Sequence, residues 1–209
     1  MPTRLLLLAR HGEQDVPPET PPGTDPPEAG LSIRGRRQAE LLGERLRGVP
    51  VDAIHHGPLP RAAETARLVS AALPGVPVNA TELAGDHLPE DTPAAGLPPA
   101  YARLLAGFDP AERADGPRLT AEAVRRFAGA PDGGDRYDLV VTHTFLIGWL
   151  VRDALGAPGS RWLGLNHHNA GLTVIRYRTG VPPTLIAFND VAHLPAELRG
   201  TGLPAEYRL

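Results

Sequence analysis

Residues 5–13 read Leu5-Leu6-Leu7-Leu8-Ala9-Arg10-His11-Gly12-Glu13. The apolar run, preceded by Pro2, is far too short to span a membrane and suits a strand buried on both faces of a parallel sheet. A strand that only had to stop would do so with Gly, Asn or Pro. This one ends in two basic side chains, and cations at the exit of an apolar strand are costly unless something anionic meets them. The stretch therefore predicts a central strand over 3–9 that delivers Arg10 and His11 to an anionic ligand.

Working outward, Ser32 can cap a helix over 34–47, with Ala39, Leu42 and Leu46 as its apolar stripe. A short strand follows at 51–55, then a helix over 60–73 that opens on Pro60, and a brief strand at 76–78. Residues 80–99 show no clean period and are broken by Pro89, Pro93, Pro98 and Pro99. Helices over 100–106 and 119–128, joined by a polar turn, precede a buried strand at 138–142 and a largely apolar helix at 145–155. Strands at 172–177 and 184–188 close the pattern, with Gly180-Val181-Pro182-Pro183 in the turn. Strands alternating with helices predict a three-layer α/β sandwich with a mostly parallel central sheet and helices on both faces. The expectation is a single domain over 1–209 with a lid-like insertion at about 80–117. Prolines exclude a helix or central strand from 16–30, a stiff surface excursion or a wall beside the pocket. The stretch 189–209 reads as a surface tail in which Asn189, Asp190 or His193 would border a pocket.

A formal net charge of -3 argues against a nucleic-acid or anionic-membrane partner. All 21 basic residues are Arg, so a lone Arg carries little weight and only an Arg inside a motif counts. The absence of Cys removes thiolate nucleophiles, disulfides and Cys-ligated metals. With no signal-peptide pattern and no apolar run long enough to span, the expectation is a soluble cytoplasmic protein.

Three sites share one topology. Arg10-His11-Gly12 follows the first strand, Arg61 opens the helix after the second, and His143 follows the strand at 138–142. Ligands of open α/β sheets bind outside the carboxyl ends of the strands. Two His and two Arg converging there suit a dianion, because guanidinium forks match phosphate oxygens and stay charged.

The segments LLLARHGE, GPLPRAAETA at 57–66 and VVTHTF at 140–145 together resemble the histidine phosphatase superfamily, also called phosphoglycerate-mutase-like. The resemblance implies that His11 is the nucleophile and forms a phosphohistidine that water hydrolyses. It implies that Arg10, Arg61 and His143 hold the phosphoryl oxygens, and that Gly12 lets the backbone approach the phosphate. It also implies a general acid after the third strand, closely preceded by a Leu. With Leu83 as that leucine, Asp86 is the first candidate, since Gly85 allows the turn that aims it inward, and Glu82 is the alternative. Two positions depart from the family pattern: Pro17 stands where many members have Asn, and Thr144 where Gly is common. The Thr144 hydroxyl adds a donor to the substrate site, and Gln14 is a further candidate contact there, while Glu13 shapes the loop. Tyr101, Arg103 and Phe108 are candidate specificity contacts. The pairs His55-His56 and His167-His168 do not read as metal ligands, because adjacent strand side chains point to opposite faces. The implied activity is a metal-independent phosphomonoesterase of the histidine acid phosphatase type (EC 3.1.3.-). It would act on a small phosphorylated metabolite without a cofactor. A phosphoglycerate-type mutase and a non-catalytic phosphate-ligand-binding pseudo-enzyme are the alternatives.

Overall fold

The apolar run forms strand β1 (Thr3–Arg10), and its side chains divide between two cores. Leu6 and Leu8 pack with Phe127, Val140, Ile147 and Leu150 on one face. Leu7 and Ala9 pack with Leu42, Ile54, Ala62, Val69 and Val141 on the other. A strand alternates its side chains between faces, so two apolar layers demand an unbroken apolar run. The computed structural model describes residues 1–20, 26–89 and 97–203. Parts of the Pro-rich loop, of the lid-like segment (with Pro93) and of the tail thus lie outside the described residues.

Strand β1 sits inside a six-stranded sheet with β2 (Ala53–His56), β3 (Val78–Ala80), β4 (Arg136–Thr142), β5 (Leu172–Arg178) and β6 (Val181–Asp190). The order is β3-β2-β4-β1-β5-β6, with β5 antiparallel to both its neighbours and the other pairings parallel. Helices α1 (Ile33–Leu46) and α2 (Pro60–Ser70) contribute to the core on one face. The shorter α3 (Pro99–Ala106) precedes α4 (Pro110–Phe127) and α5 (Thr144–Ala154), which build the other face. This is the three-layer, mostly parallel α/β sandwich. Ser32 caps α1 by accepting from the Gly35 amide at 3.0 Å.

Besides small shifts at the ends of other elements, three differences from the sequence reading have a physical reason. Helix α4 begins nine residues earlier than 119, running through Pro117 where a polar turn was expected. Proline there removes one backbone hydrogen bond, but buried Gly116 lets the helix press on the Leu88 carbonyl. The Thr120 hydroxyl donates to the Gly116 carbonyl at 2.9 Å. Strand β3 lies at 78–80 rather than 76–78, because its ladder starts with the Pro77 carbonyl accepting from Ile54 N at 2.9 Å. Strand β6 takes in Pro182 and Pro183, expected in the turn, which shrinks to a sharp bend at Gly180 with φ of 78°. A strand at the sheet edge tolerates proline's missing donor.

Candidate active site

The carboxyl ends of β1 and β4 lie side by side, with Arg10 paired to Thr142 in register. His11 N then donates to the Thr142 carbonyl at 3.0 Å, carrying the ladder one residue past the strand. The His11 and His143 rings therefore face each other, centroids 4.9 Å apart. His11 Nδ1 lies 2.7 Å from the Gly12 carbonyl. A carbonyl only accepts, so Nδ1 carries the proton and Nε2 keeps the lone pair. His11 is 3% exposed, and burial, then His143, Arg10 and Arg61, push its pKa well below the ordinary histidine value. The ring is a neutral base at neutral pH.

Arg61, at the second position of α2, is 2% exposed. Its NH2 meets Asp86 Oδ2 at 3.2 Å, while Nε and NH1 have no hydrogen-bond partner among the described residues. Buried guanidinium nitrogens are rarely left in this condition without reason. Asp86 Oδ2 also lies 3.4 Å from His143 Nδ1. A cavity of about 500 Å³ opens here, and Arg10, His11, Asp86, His143 and Thr144 line it. His143 caps α5 through its backbone, so the first turn of that helix, with its amide donors, borders the same space.

Arg10, Arg61, His11, His143, Asp86 and Thr144 are thus brought together. Glu82 is not: its side chain is 67% exposed and sits 3.9 Å from His87, outside the cavity. The three-residue 3-10 turn Glu82–Ala84 turns Glu82 outward before the chain comes back at Asp86. Gly12 also packs on α1. Its amide donates to Thr65 Oγ1 at 3.0 Å, and its bare Cα faces the Gly35 carbonyl of α1. Its lack of a side chain lets the loop press on the backbone of α1. Gln14 pairs through its backbone with Leu31, and its side chain does not line the cavity. Pro17 is exposed, away from the cavity. Of the three specificity candidates, Phe108 lines the cavity, whereas Tyr101 and Arg103 do not and Leu104 does. Leu104 sits on α3 and Phe108 in the turn that follows it.

The sequence reading missed how the chain after β6 is used. Arg10 NH1 donates to the carbonyls of His167 and Gly202, both at 2.7 Å. Asn169 donates to the His11 carbonyl at 3.1 Å from its side chain and to Thr201 O at 3.1 Å from its backbone. Gln38, fully buried in α1, accepts from Glu13 N at 2.8 Å and donates to Leu198 O and Thr201 Oγ1, both at 2.8 Å. Residues 198–203 are therefore a strap stitched to the loop that carries His11, not a surface tail, and Gly202 and Leu203 line the cavity. Asn189, Asp190 and His193 do not line it. Asn189 instead accepts from His168 N at 2.8 Å, and Asp190 pairs with Arg45.

His167 is buried against Phe188 at 5.0 Å, and burial lowers its pKa to about 3. The unfolded chain takes up this proton near pH 6.5 while the fold refuses it, so stability falls as pH drops below that value. The expected loss from His167 is about 1.4 kcal/mol per pH unit down to the folded pKa. Urea midpoints measured at pH 8 and pH 5 should accordingly draw closer together in His167→Phe. An unchanged gap would show that the ring is protonated in the fold.

Comparison with known proteins agrees with this geometry. The histidine phosphatase superfamily (branch 1) matches residues 6–84 and 116–191, and the chain belongs to that superfamily. The mitochondrial serine/threonine-protein phosphatase PGAM5 of Rattus norvegicus is 30% identical over 202 residues, 93% of this chain and 65% of the relative. The Homo sapiens PGAM5 shows the same figures. The chain thus spans 65% of the length of these curated relatives. Among solved structures, a mycobacterial glucosyl-3-phosphoglycerate phosphatase superposes with a TM-score of 0.64 at 26% identity, covering 90% of this chain and 99% of that one. A Plasmodium falciparum phosphoglycerate mutase shares the fold with a TM-score of 0.60 at 20% identity, over 94% of this chain and 96% of that one. No helix among the described residues is long and apolar enough to cross a membrane.

Proposed function

We propose that the chain is a metal-independent phosphomonoesterase that hydrolyses a small phosphorylated metabolite through a phosphohistidine on His11. The observation that carries this reading is the neutral His11 ring, its Nδ1 tied to the Gly12 carbonyl, beside a buried Arg61 with two nitrogens that no described residue partners. Nε2 attacks phosphorus as the ester P–O bond breaks, and the leaving alkoxide takes a proton from the Asp86 carboxyl. Arg10, Arg61 and His143 donate to the phosphoryl oxygens as charge shifts onto them. The Asp86 carboxylate then takes a proton from water as its oxygen attacks phosphorus and the P–N bond breaks. Phosphate leaves, and His11 and Asp86 return to their starting protonation. The charge on the phosphoryl group is met by side chains alone, so no step calls for a metal. The relatives' own names support the phosphatase class. Rapid acid and alkaline quench during turnover of para-nitrophenyl phosphate with EDTA tests the reading. An alkali-stable, acid-labile phosphoenzyme is expected; a phosphatase rate abolished by EDTA would overturn it.

The strap supplies a second test. Gly202 has φ of 82°, and a Cβ there would run into Arg10 NH1 and Asn169 Oδ1. Gly202→Ala is expected to dislodge the Arg10 guanidinium and lower kcat/KM by about tenfold. Wild-type kinetics in that variant would mean that the strap does not set the position of Arg10.

A further inference from the structure

Among the described residues, the cavity's ionisable lining consists of Arg10, His11, Asp86 and His143, all engaged by the phosphoryl transfer proposed above, on which this inference rests. Among the described residues, most of the remaining lining is apolar: Leu104, Phe108, Phe145 and Leu203. Thr144 and Asn166 are its only other polar side chains, and both are neutral. The aromatic part is held rigidly. Phe108 meets Phe145 edge-on at 5.7 Å, and Phe145 meets the buried Trp162 at 5.1 Å. Leu88, Leu105 and Trp149 complete the cluster behind them. Leu104 keeps 45% of its surface exposed while lining the cavity, so its apolar surface stands open to whatever enters.

We infer that the substrate is a phosphomonoester of an uncharged apolar or aromatic alcohol, and that the pocket rejects esters whose alcohol carries a carboxylate or a second phosphate. A ring inserted between Leu104, Phe108 and Phe145 would bury its faces and edges against apolar and aromatic surface. A carboxylate in the same place would lose its water and find no cation among the described residues of the lining beyond the arginines already committed to the phosphoryl group. A phosphoglycerate needs a cation at the carboxylate end, and the described lining offers none.

Non-hydrolysable phosphonates read the pocket without requiring turnover. In calorimetric titrations of the full chain, benzylphosphonate is expected to bind at least about tenfold more tightly than 3-phosphonopropionate. Leu104→Arg supplies the missing cation at an exposed position and is expected to move that ratio by about tenfold or more toward the carboxylate. Phe108→Ala is expected to weaken benzylphosphonate several-fold while leaving inorganic phosphate affinity unchanged. Equal wild-type affinities, or a ratio that neither variant moves, would overturn the inference. Selective binding of benzylphosphonate without any phosphate release from benzyl phosphate would support this pocket assignment and overturn the phosphatase reading.

Discussion

His11→Ala is expected to leave no trapped phosphoenzyme and to lower kcat by at least about 10³-fold, because the covalent route is lost with its nucleophile. The loss belongs to His11 rather than to its neighbour for a geometric reason. His143 has its Nδ1 3.4 Å from Asp86 Oδ2 and sits at the cap of α5, where the first helical turn adds anion-binding donors. That position suits a group that holds oxygens. His11 has its Nδ1 proton spent on the Gly12 carbonyl, and burial among cations keeps the ring neutral. Only a neutral ring has a lone pair to offer phosphorus. The acid limb of kcat/KM should for the same reason fall below the ordinary histidine range rather than within it. Inorganic phosphate binding and the thermal midpoint serve as controls, since removing a buried ring leaves a small cavity. A phosphoenzyme that survives in His11→Ala would transfer the nucleophile's role to another residue.

What was legible in the sequence had a local signature. The unbroken apolar run at β1 announced a strand buried on both faces, and the alternating strands and helices announced the layers. The basic side chains at the strand exits announced where the site lies. What escaped is carried by contacts between distant residues. Gln38 lies 160 residues from Leu198, and Arg10 lies 192 from Gly202. A polar, proline-bearing stretch near the end of a chain has nothing in its own order to show that its carbonyls are taken by an arginine and a glutamine. Pro117 misled in the opposite direction. A proline in a helical pattern is a sound reason to end the helix, but Gly116 packing on Leu88 and the Thr120 hydroxyl hold α4 continuous through it. The packing of Gly12 on α1 escaped because a bare Cα looks the same whether a ligand or a helix backbone presses on it. Residues 90–96 lie outside the described part, so the lid-like role of 80–117 rests on α3, whose Leu104 reaches the cavity.

Asp86→Asn is expected to separate substrates by their leaving groups. The Asp86 carboxylate lies on the cavity, 3.2 Å from Arg61 and 3.4 Å from His143, within reach of an ester oxygen held by those groups. Asparagine keeps the size and an acceptor oxygen but has no acidic proton to give. For a sugar phosphate, whose alkoxide is a poor leaving group, kcat/KM should fall by about 10²-fold or more. For para-nitrophenyl phosphate it should stay within about threefold, because phenolate departs without help. kcat/KM is the right quantity, since it reports steps up to the first irreversible one, here the proposed transfer to His11. In the proposed mechanism the same group is the base toward water in the second half-reaction. The variant should therefore also accumulate phosphoenzyme on para-nitrophenyl phosphate, with kcat depressed while kcat/KM holds. Glu82→Gln controls for the nearby carboxylate: its side chain is exposed beside His87, and both substrates should be turned over normally. Equal losses on the two substrate types in Asp86→Asn would make Asp86 a brace for Arg61 and His143 rather than a proton donor. A leaving-group-dependent loss in Glu82→Gln would mean that the turn at 82–84 rearranges when substrate binds, and would move the acid's role to Glu82.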